Sequence, residues 1–292
     1  MEPLSPGQAL RQAVAHDCIQ VPGAPNALAA RLIERYGFEA MYLSGAAMSA
    51  GEFALPDVGL FTLTELAEQT RRLTAAAGVP LIVDADTGFG DVLNVERTVF
   101  ELEAAGAAAI QLEDQQLLKR CGHLSGKSLV EPKEMCAKIA AAADARGDDS
   151  LVIIARTDAR GVEDFDAAVL RAKQYVDAGA DWIFPEALRD ENEFARFADA
   201  FDVPLIANMT EFGQSPLLPV RTLAELGYAA VLYPVSLLRV AMRAMEAALA
   251  MLSADGHQQE LIELMQTREE LYDLLDYEDF EQRDREYFGG PQ

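Results

Sequence analysis

A short phrase recurs along this chain. A helical stretch ends in Ala-Gly or Leu-Gly, and a run of apolar residues follows at once. It is written as Thr74 to Gly78 before Val79 to Val83, Glu103 to Gly106 before Ala107 to Leu112, Val176 to Gly179 before Ala180 to Phe184, and Leu226-Gly227 before Ala229 to Tyr233. Glycine just past a helix supplies the left-handed residue on which the helix stops, and an apolar run without alternation is a strand covered on both faces. Helix and strand therefore alternate. Candidate strands fall near 18–22, 40–43, 80–84, 109–113, 151–156, 182–185, 204–208 and 230–233. Helix-start signals lie between them: Thr62 with Glu65 three residues on, Asn94 before Val95, and Pro132 at a first helical position. Eight strands with intervening helices predict an α/β fold of the (β/α)8 TIM-barrel type.

The polar residues support a closed barrel more strongly than the count does. Ser44, Asp84, Glu113, Arg156, Glu186, Asn208 and Tyr233 each stand where an apolar run stops. In a barrel the C-terminal strand ends form one rim, so these scattered residues converge on one site. The rival is a doubly wound open sheet, which gathers its ligand contacts at one switch point and often carries a Gly-rich first turn. No GxGxxG follows a strand here. Beyond Tyr233-Pro234 the pattern changes: Ser236 reads as the cap of a helix running to about 254, and 258–287 is helical, charged and strandless. We read residues 1–292 as a single barrel domain, with 236–292 a helical extension that packs on a neighbouring subunit.

The net charge of −24 argues against nucleic acid or an anionic membrane as partner, because the average surface field repels a polyanion. No apolar run reaches the roughly 18 residues of a membrane span. The first seven residues lack the pattern of a secretory signal. Cys18, Cys121 and Cys136 cannot all pair and form no CxxC, so reduced thiols in the cytoplasm are expected. Only five of the 24 basic residues are lysine, which fits either a salt-rich cytoplasm or an acidic protein from a GC-rich genome.

Asp84 and Asp86, two apart at a strand end, can turn their side chains into the same mouth. With Glu113 from the next strand they offer an all-oxygen set for one hard divalent cation, partly through water, as Mg2+ prefers; Mn2+ is the alternative. The plainer reading makes Asp84 a turn cap and Asp86 a solvated charge, and placement at the rim beside Glu113-Asp114 favours the metal. Cys121 lies among Lys119, Arg120 and His123, and neighbouring cations favour a thiolate, so it reads as a group that passes a proton. Cys18 and Cys136, in apolar contexts, read as small buried hydrophobes. Gly122 and Gly126 suit a closing lid. His123 lacks partner spacing for zinc, which leaves an anion-binding or acid role, and His16 and His257 read as surface or structural residues. Arg156, Arg239 and Arg268 are candidate forks for a carboxylate, Arg156 foremost because it ends a buried strand. Glu186, Asn208 and Thr210 can hydrogen-bond substrate hydroxyl and carboxylate groups.

Several segments, in order over nearly the whole chain, resemble the isocitrate lyase and phosphoenolpyruvate mutase superfamily. They include Tyr42-Leu43-Ser44-Gly45, Leu55-Pro56-Asp57, Val83-Asp84-Ala85-Asp86-Thr87-Gly88, Glu113-Asp114-Gln115, Lys119-Arg120-Cys121-Gly122-His123, Ala155-Arg156-Thr157-Asp158, Phe184-Pro185-Glu186, Asn208-Met209-Thr210-Glu211 and Met265-Gln266-Thr267-Arg268. The resemblance implies a barrel whose eighth helix is exchanged between subunits of a homotetramer, a dimer of dimers. It also implies Mg2+-dependent cleavage of 2-methylisocitrate, a small polycarboxylate, to pyruvate and succinate. By the same resemblance Asp86 binds the metal directly, with Asp84 and Glu113 in its water shell. Ser44, Gly45 and Ala46 hold the pyruvate end, with Arg156 in contact there. Cys121, Gly122, Glu186, Asn208, Thr210, Arg239 and Arg268 surround the succinate portion, and Cys121 is the proton donor.

Ala46 stands where a second glycine is usual, and His123-Leu124-Ser125-Gly126-Lys127 is similar to the loop of isocitrate lyases. The chain is too short for the insertions of isocitrate lyase itself. Three readings follow: the 2-methylisocitrate enzyme, a sister lyase acting on 2,3-dimethylmalate or isocitrate, and a non-catalytic barrel that binds a dicarboxylate.

Overall fold

The computed structural model describes residues 3–123 and 126–289. Its strands are β1 (Ile19–Pro22), β2 (Met41–Leu43), β3 (Leu81–Asp84), β4 (Ala109–Glu113), β5 (Val152–Thr157), β6 (Trp182–Pro185), β7 (Ile206–Asn208) and β8 (Ala230–Tyr233). Every strand pairing is parallel, with β2 to β6 forming one arc in chain order and β7, β8 and β1 the other. Parallel bridges at Gly23–Tyr42 and Ile183–Leu205 join the two arcs. The ring is thereby closed in chain order, as a (β/α)8 barrel requires. All eight expected strands are present, each within two residues of its expected bounds.

Successive strand residues point to opposite faces, and the two apolar clusters follow that alternation. One lies between strands and helices and takes Met41, Leu43, Leu81, Val83, Ile110, Leu112, Ile153 and Val231. The other fills the barrel and takes Val21, Tyr42, Ile82, Ala109, Ile154, Trp182, Phe184, Ile206 and Leu232. Leu10, from the helix Pro6–Val14, joins this inner cluster and is fully buried.

Two start and stop signals act differently from the expectation. The helix Val92–Ala104 is capped by Asp91, not Asn94, which lies inside it. Gly106, Gly179 and Gly227 are left-handed as expected, but Gly78 is not. Ala77 before it is already extended, and the Gly78 amide is taken by Glu34 Oε1 at 2.8 Å. A tertiary partner ends that helix.

The chain divides into two compact units, residues 1–238 and 239–292, and the division falls within the helix Ser236–Asp255. The second unit continues as a 3-10 turn, Gln259–Leu264, and the helices Arg268–Leu274 and Tyr277–Phe288. The stretch expected to be helical over 258–287 is thus divided at two places. Met265 turns extended, and Asp276 adopts φ 53°, a left-handed conformation that no helix continues through.

Candidate active site

The alternation that fills the barrel also builds its mouth. Continuing each inward column by two residues leads from Ile82 to Asp84, from Ala109 through Gln111 to Glu113, from Ile154 to Arg156, from Phe184 to Glu186 and from Ile206 to Asn208. The columns are apolar at depth and polar at the strand ends. Register makes Glu113 the neighbour of Arg156 across β4 and β5.

Arg156 is the centre of this layer. Its Nε and Nη2 donate to the two oxygens of Asp158 at 3.0 and 3.2 Å. Its Nη2 also lies 3.2 Å from Glu186 Oε2, and its Nη1 3.4 Å from Glu113 Oε2. Glu186 takes two contacts from Asn208 Nδ2, at 3.3 and 3.2 Å, and Asn208 Oδ1 accepts the Thr210 amide at 3.2 Å. His123 Nε2 stands 2.9 Å from Glu186 Oε1, while its Nδ1 accepts the Gln214 amide at 2.9 Å. Burial opposes the charge on Glu186, but Arg156, His123 and Lys127 outweigh it and hold the carboxyl down to about 2.

A second cluster sits where β2 and β3 end. Ser44 caps the helix Gly45–Phe53, accepting the Ala47 amide at 3.3 Å, and the Gly45 amide donates to Asp84 Oδ2 at 3.2 Å. A side chain at Gly45 would meet Asp86 Oδ1 at 3.2 Å and Asp84 Oδ2 at 3.3 Å, so the two carboxylates border one small space, and Ala46 beside it is half-buried. This convergence has another cause than strand alternation. β3 ends at Asp84, and Asp86 is brought round by a left-handed backbone, φ 48°. Lys119, almost fully buried, lies 2.8 Å from Asp86 Oδ1 and pairs with Asp57 as well. Gln111 Nε2 holds Asp84 Oδ1 at 3.1 Å, and the Tyr42 hydroxyl donates to Gln111 Oε1 at 2.8 Å.

The donor set fits a hard cation. Asp84, Asp86 and Glu113 are buried oxygen donors, and Glu113 Oε1 has no hydrogen-bond partner among the described residues. Asp86 Oδ1 has the Lys119 ion pair but no directed hydrogen bond. Burial pushes the Asp86 carboxyl up to about 7, with Asp84 adding to the shift and Lys119 only partly offsetting it; burial also pushes Glu113 well above the usual carboxylate range. The local cations leave these acids short of positive charge. Among the described residues no group of three or more acidic, His or Cys side chains is placed to hold a metal ion by itself. An ion that keeps several of its waters suits such a set.

The segment carrying Cys121 reaches this mouth. Gly122 is buried, and a side chain there would overlap Arg156 Nη2 and the Glu186 carboxylate, so only glycine fits. Cys121 is half-buried. Two of the three basic neighbours expected to face its sulfur are engaged elsewhere: Lys119 with Asp57 and Asp86, and His123 with Glu186. Leu124 and Ser125 lie outside the described residues. Cys18 and Cys136 are half-buried rather than fully enclosed.

The structure thus brings Ser44, Gly45, Asp84, Asp86, Glu113, Gly122, His123, Arg156, Glu186 and Asn208 together, with Thr210 at the edge through its amide. Arg239 and Arg268 belong to the second unit and are exposed there. Sequence reasoning gave no role to Asp57, Gln111, Lys127 or Asp158. Gln111 carried a usable signal, since it stands two residues before Glu113 on the same strand face. Asp57 lies in a loop with no periodicity to mark it.

A parallel (β/α)8 barrel with matched carboxylates and cations buried at the C-terminal mouth is the class that this fold and site define. The chain belongs to the phosphoenolpyruvate phosphomutase family, whose model matches residues 10–253. It is 53% identical over 287 residues to the 2-methylisocitrate lyase of Aeropyrum pernix, covering 98% of this chain and 92% of that protein. It is 50% identical over 271 residues to the 2-methylisocitrate lyase of Bacillus subtilis, covering 93% and 89%. Among solved structures, a 2,3-dimethylmalate lyase superposes with TM-score 0.91 at 31% identity, covering 98% and 96%. A phosphonopyruvate hydrolase in complex with oxalate and Mg2+ superposes with TM-score 0.87 at 32% identity, covering 98% and 99%.

Proposed function

We propose that this chain is a carbon–carbon lyase that cleaves 2-methylisocitrate to pyruvate and succinate. The observation that carries the reading is the approach of Gly122, the neighbour of Cys121, to Arg156 and Glu186 over the barrel mouth. The thiol-bearing segment lies against a guanidinium and carboxylate pair, at the same mouth as the buried carboxylates Asp84, Asp86 and Glu113. The names of the relatives at about half identity support the substrate.

In this reading Ser44, Gly45 and Ala46, at the start of the helix Gly45–Phe53, hold the pyruvate portion, because a helix N-terminus favours an anion. Arg156 contacts substrate there. Asn208, Thr210, Glu186 and His123 line the succinate portion. Asp84, Asp86 and Glu113 would hold Mg2+ or Mn2+, which when bound would supply Lewis-acid polarisation of the substrate hydroxyl oxygen. The hydroxyl proton passes to solvent, the oxygen becomes the ketone of pyruvate, and the electrons of the broken bond remain on the carbon beside a succinate carboxylate. Cys121 gives its proton to that carbon, and the thiolate regains one from solvent before the next turnover. The surrounding donors are placed before the charge develops, which is the economical arrangement.

The resemblance to the 2,3-dimethylmalate lyase structure favours one second reading, a sister lyase with a branched substrate. One methyl group shifts binding by only about 1–3 kcal/mol. No helix among the described residues is long and apolar enough to cross a membrane. Three cysteines without a disulfide support a reducing cytoplasm. The helix Ser236–Asp255 has no buried residue and exposes Val240, Met242, Met245 and Leu249, which supports packing on a second copy within a homotetramer.

The test is pyruvate release from 2-methylisocitrate, 2,3-dimethylmalate, isocitrate and oxaloacetate, compared by kcat/KM with Mg2+ and with EDTA. We expect 2-methylisocitrate to lead and EDTA to abolish turnover. Cys121→Ser should retain substrate and Mg2+ binding while kcat falls by about 100-fold or more. Near-normal turnover in that variant would remove Cys121 from the chemistry. A lead by 2,3-dimethylmalate would select the second reading.

A further inference from the structure

Two side chains that the proposed reaction does not use grip the backbone on either side of Cys121. Gln115, buried, closes a clasp on Arg120: its Nε2 donates to the Arg120 carbonyl at 2.8 Å, and its Oε1 accepts the Arg120 amide at 2.9 Å. Lys127, whose side chain is 1% exposed, donates to the carbonyl of Gly122 and, at 2.6 Å, to Asp158 Oδ1. Asp158 is the same carboxylate that receives Arg156 from two nitrogens. One acid therefore ties the backbone next to the thiol to the guanidinium at the centre of the mouth.

Asp158 is itself held in place from behind. Its amide donates to Asp114 Oδ1 at 2.9 Å, and Asp114 Oδ2 accepts the Thr157 and Tyr175 hydroxyls, each at 2.8 Å. A lysine buried this completely is costly unless its ammonium is paired and hydrogen-bonded. A carbonyl on the Cys121 segment and a carboxylate fixed in the barrel wall meet that need together. Opening the segment would strip the amine of one of them.

We propose that Lys127 and Asp158, with Gln115, are positioning residues: they latch the segment bearing Cys121 onto the barrel mouth and tie its placement to Arg156. The catalytic consequence rests on the lyase reading, whereas the latch itself does not.

The test reads the thiols directly. Iodoacetamide, a small neutral reagent, is applied to the whole protein, and alkylation of Cys18, Cys121 and Cys136 is followed separately by peptide mass spectrometry. Cys18 and Cys136 are half-buried away from the segment and report general loosening. Lys127→Met is the first variant, because Asp158 keeps both contacts to Arg156 and no carboxylate is stranded. We expect Cys121 to react about 10-fold faster in that variant, with Cys18 and Cys136 unchanged. In the lyase assay kcat should fall about 100-fold with KM little altered, the mark of a misplaced reacting group. Lys127→Arg, which keeps the charge and the donors, should recover part of the loss.

An unchanged Cys121 rate, or all three thiols accelerating together, would overturn the proposal. Should Lys127→Met not fold, Gln115→Met decides, since it removes both contacts to the Arg120 backbone and no charge. It should speed Cys121 alone, and a rate equal to that of the unsubstituted protein would sink the latch. Latch-dependent alkylation in a protein that releases no pyruvate from any of the four acids would refute the lyase reading and leave the latch standing.

Discussion

Asp86 and Glu186 share one mouth and are shifted in opposite directions. Burial first, and then Asp84, pushes Asp86 up to about 7 despite Lys119. A carboxyl raised in this way stabilises the fold while protonated. Its contribution is fully present below the ordinary carboxylate value of about 4 and is lost as pH rises through about 7. Glu186 works with the other sign. Burial opposes its charge, Arg156, His123 and Lys127 outweigh burial, and its contribution is present above the ordinary value and lost only as pH falls toward about 2. Near neutrality, therefore, only Asp86 matters of the two. Without metal, the protein should melt at a lower temperature at about pH 8 than at about pH 5.5, and Mg2+ should restore the difference by meeting the charge that burial penalises. Calorimetry with EDTA and with Mg2+ checks this, and Asp86→Asn should flatten the pH step. Equal melting temperatures at the two pH values with EDTA present would count against it. The Asp84, Asp86 and Glu113 set was legible in the sequence as a group of oxygen donors at strand ends. Its geometry was not, because the left-handed residue that swings Asp86 round is a non-glycine position no local pattern marks.

The strand is the element on which most of the reading succeeded. An inward column such as Ile154 to Arg156, or Phe184 to Glu186, is packing at one end and chemistry at the other, so a single alternation accounts for both. The helix Pro6–Val14 carries no chemistry and had no strand-end signal, yet its Leu10 enters the inner cluster with no exposure at all. Leu10→Ala should cost about 2–5 kcal/mol by urea denaturation, the range for a buried leucine whose surroundings cannot collapse. A loss below about 1 kcal/mol would mean that the barrel interior is complete without this helix. Helix ends were less legible than strands. Gly78 has the composition of a stop signal, but Glu34 takes its amide from a distant helix and the backbone needs no left-handed residue there. In the second unit the charged stretch is interrupted at Met265, which turns extended, and at Asp276, where φ turns positive.

At the level of the whole molecule, 48 acids face 24 lysines and arginines, and three of the five lysines, Lys119, Lys127 and Lys138, are buried. The surface is poorer in lysine than the sequence suggests, and self-repulsion among its carboxylates opposes the compact state. Salt with a Debye length of about 3 Å at 1 M screens that repulsion. The melting temperature should rise as KCl is raised from about 0.05 M to about 1 M. A melting temperature that falls over this range would show that attractive surface pairs outweigh the net charge. The sequence by itself determined the alternation of helix and strand, the ring of polar strand ends and the segment that bears the thiol, because each is written in local periodicity or in adjacent residues. Only the tertiary structure decided which charge meets which. Arg156 shares its guanidinium among Glu113, Asp158 and Glu186, and Lys127 bridges a loop carbonyl to a strand-end acid. Those partners are set by closure of the ring and by burial that forbids any ion to stand alone, and neither is a property of neighbouring residues.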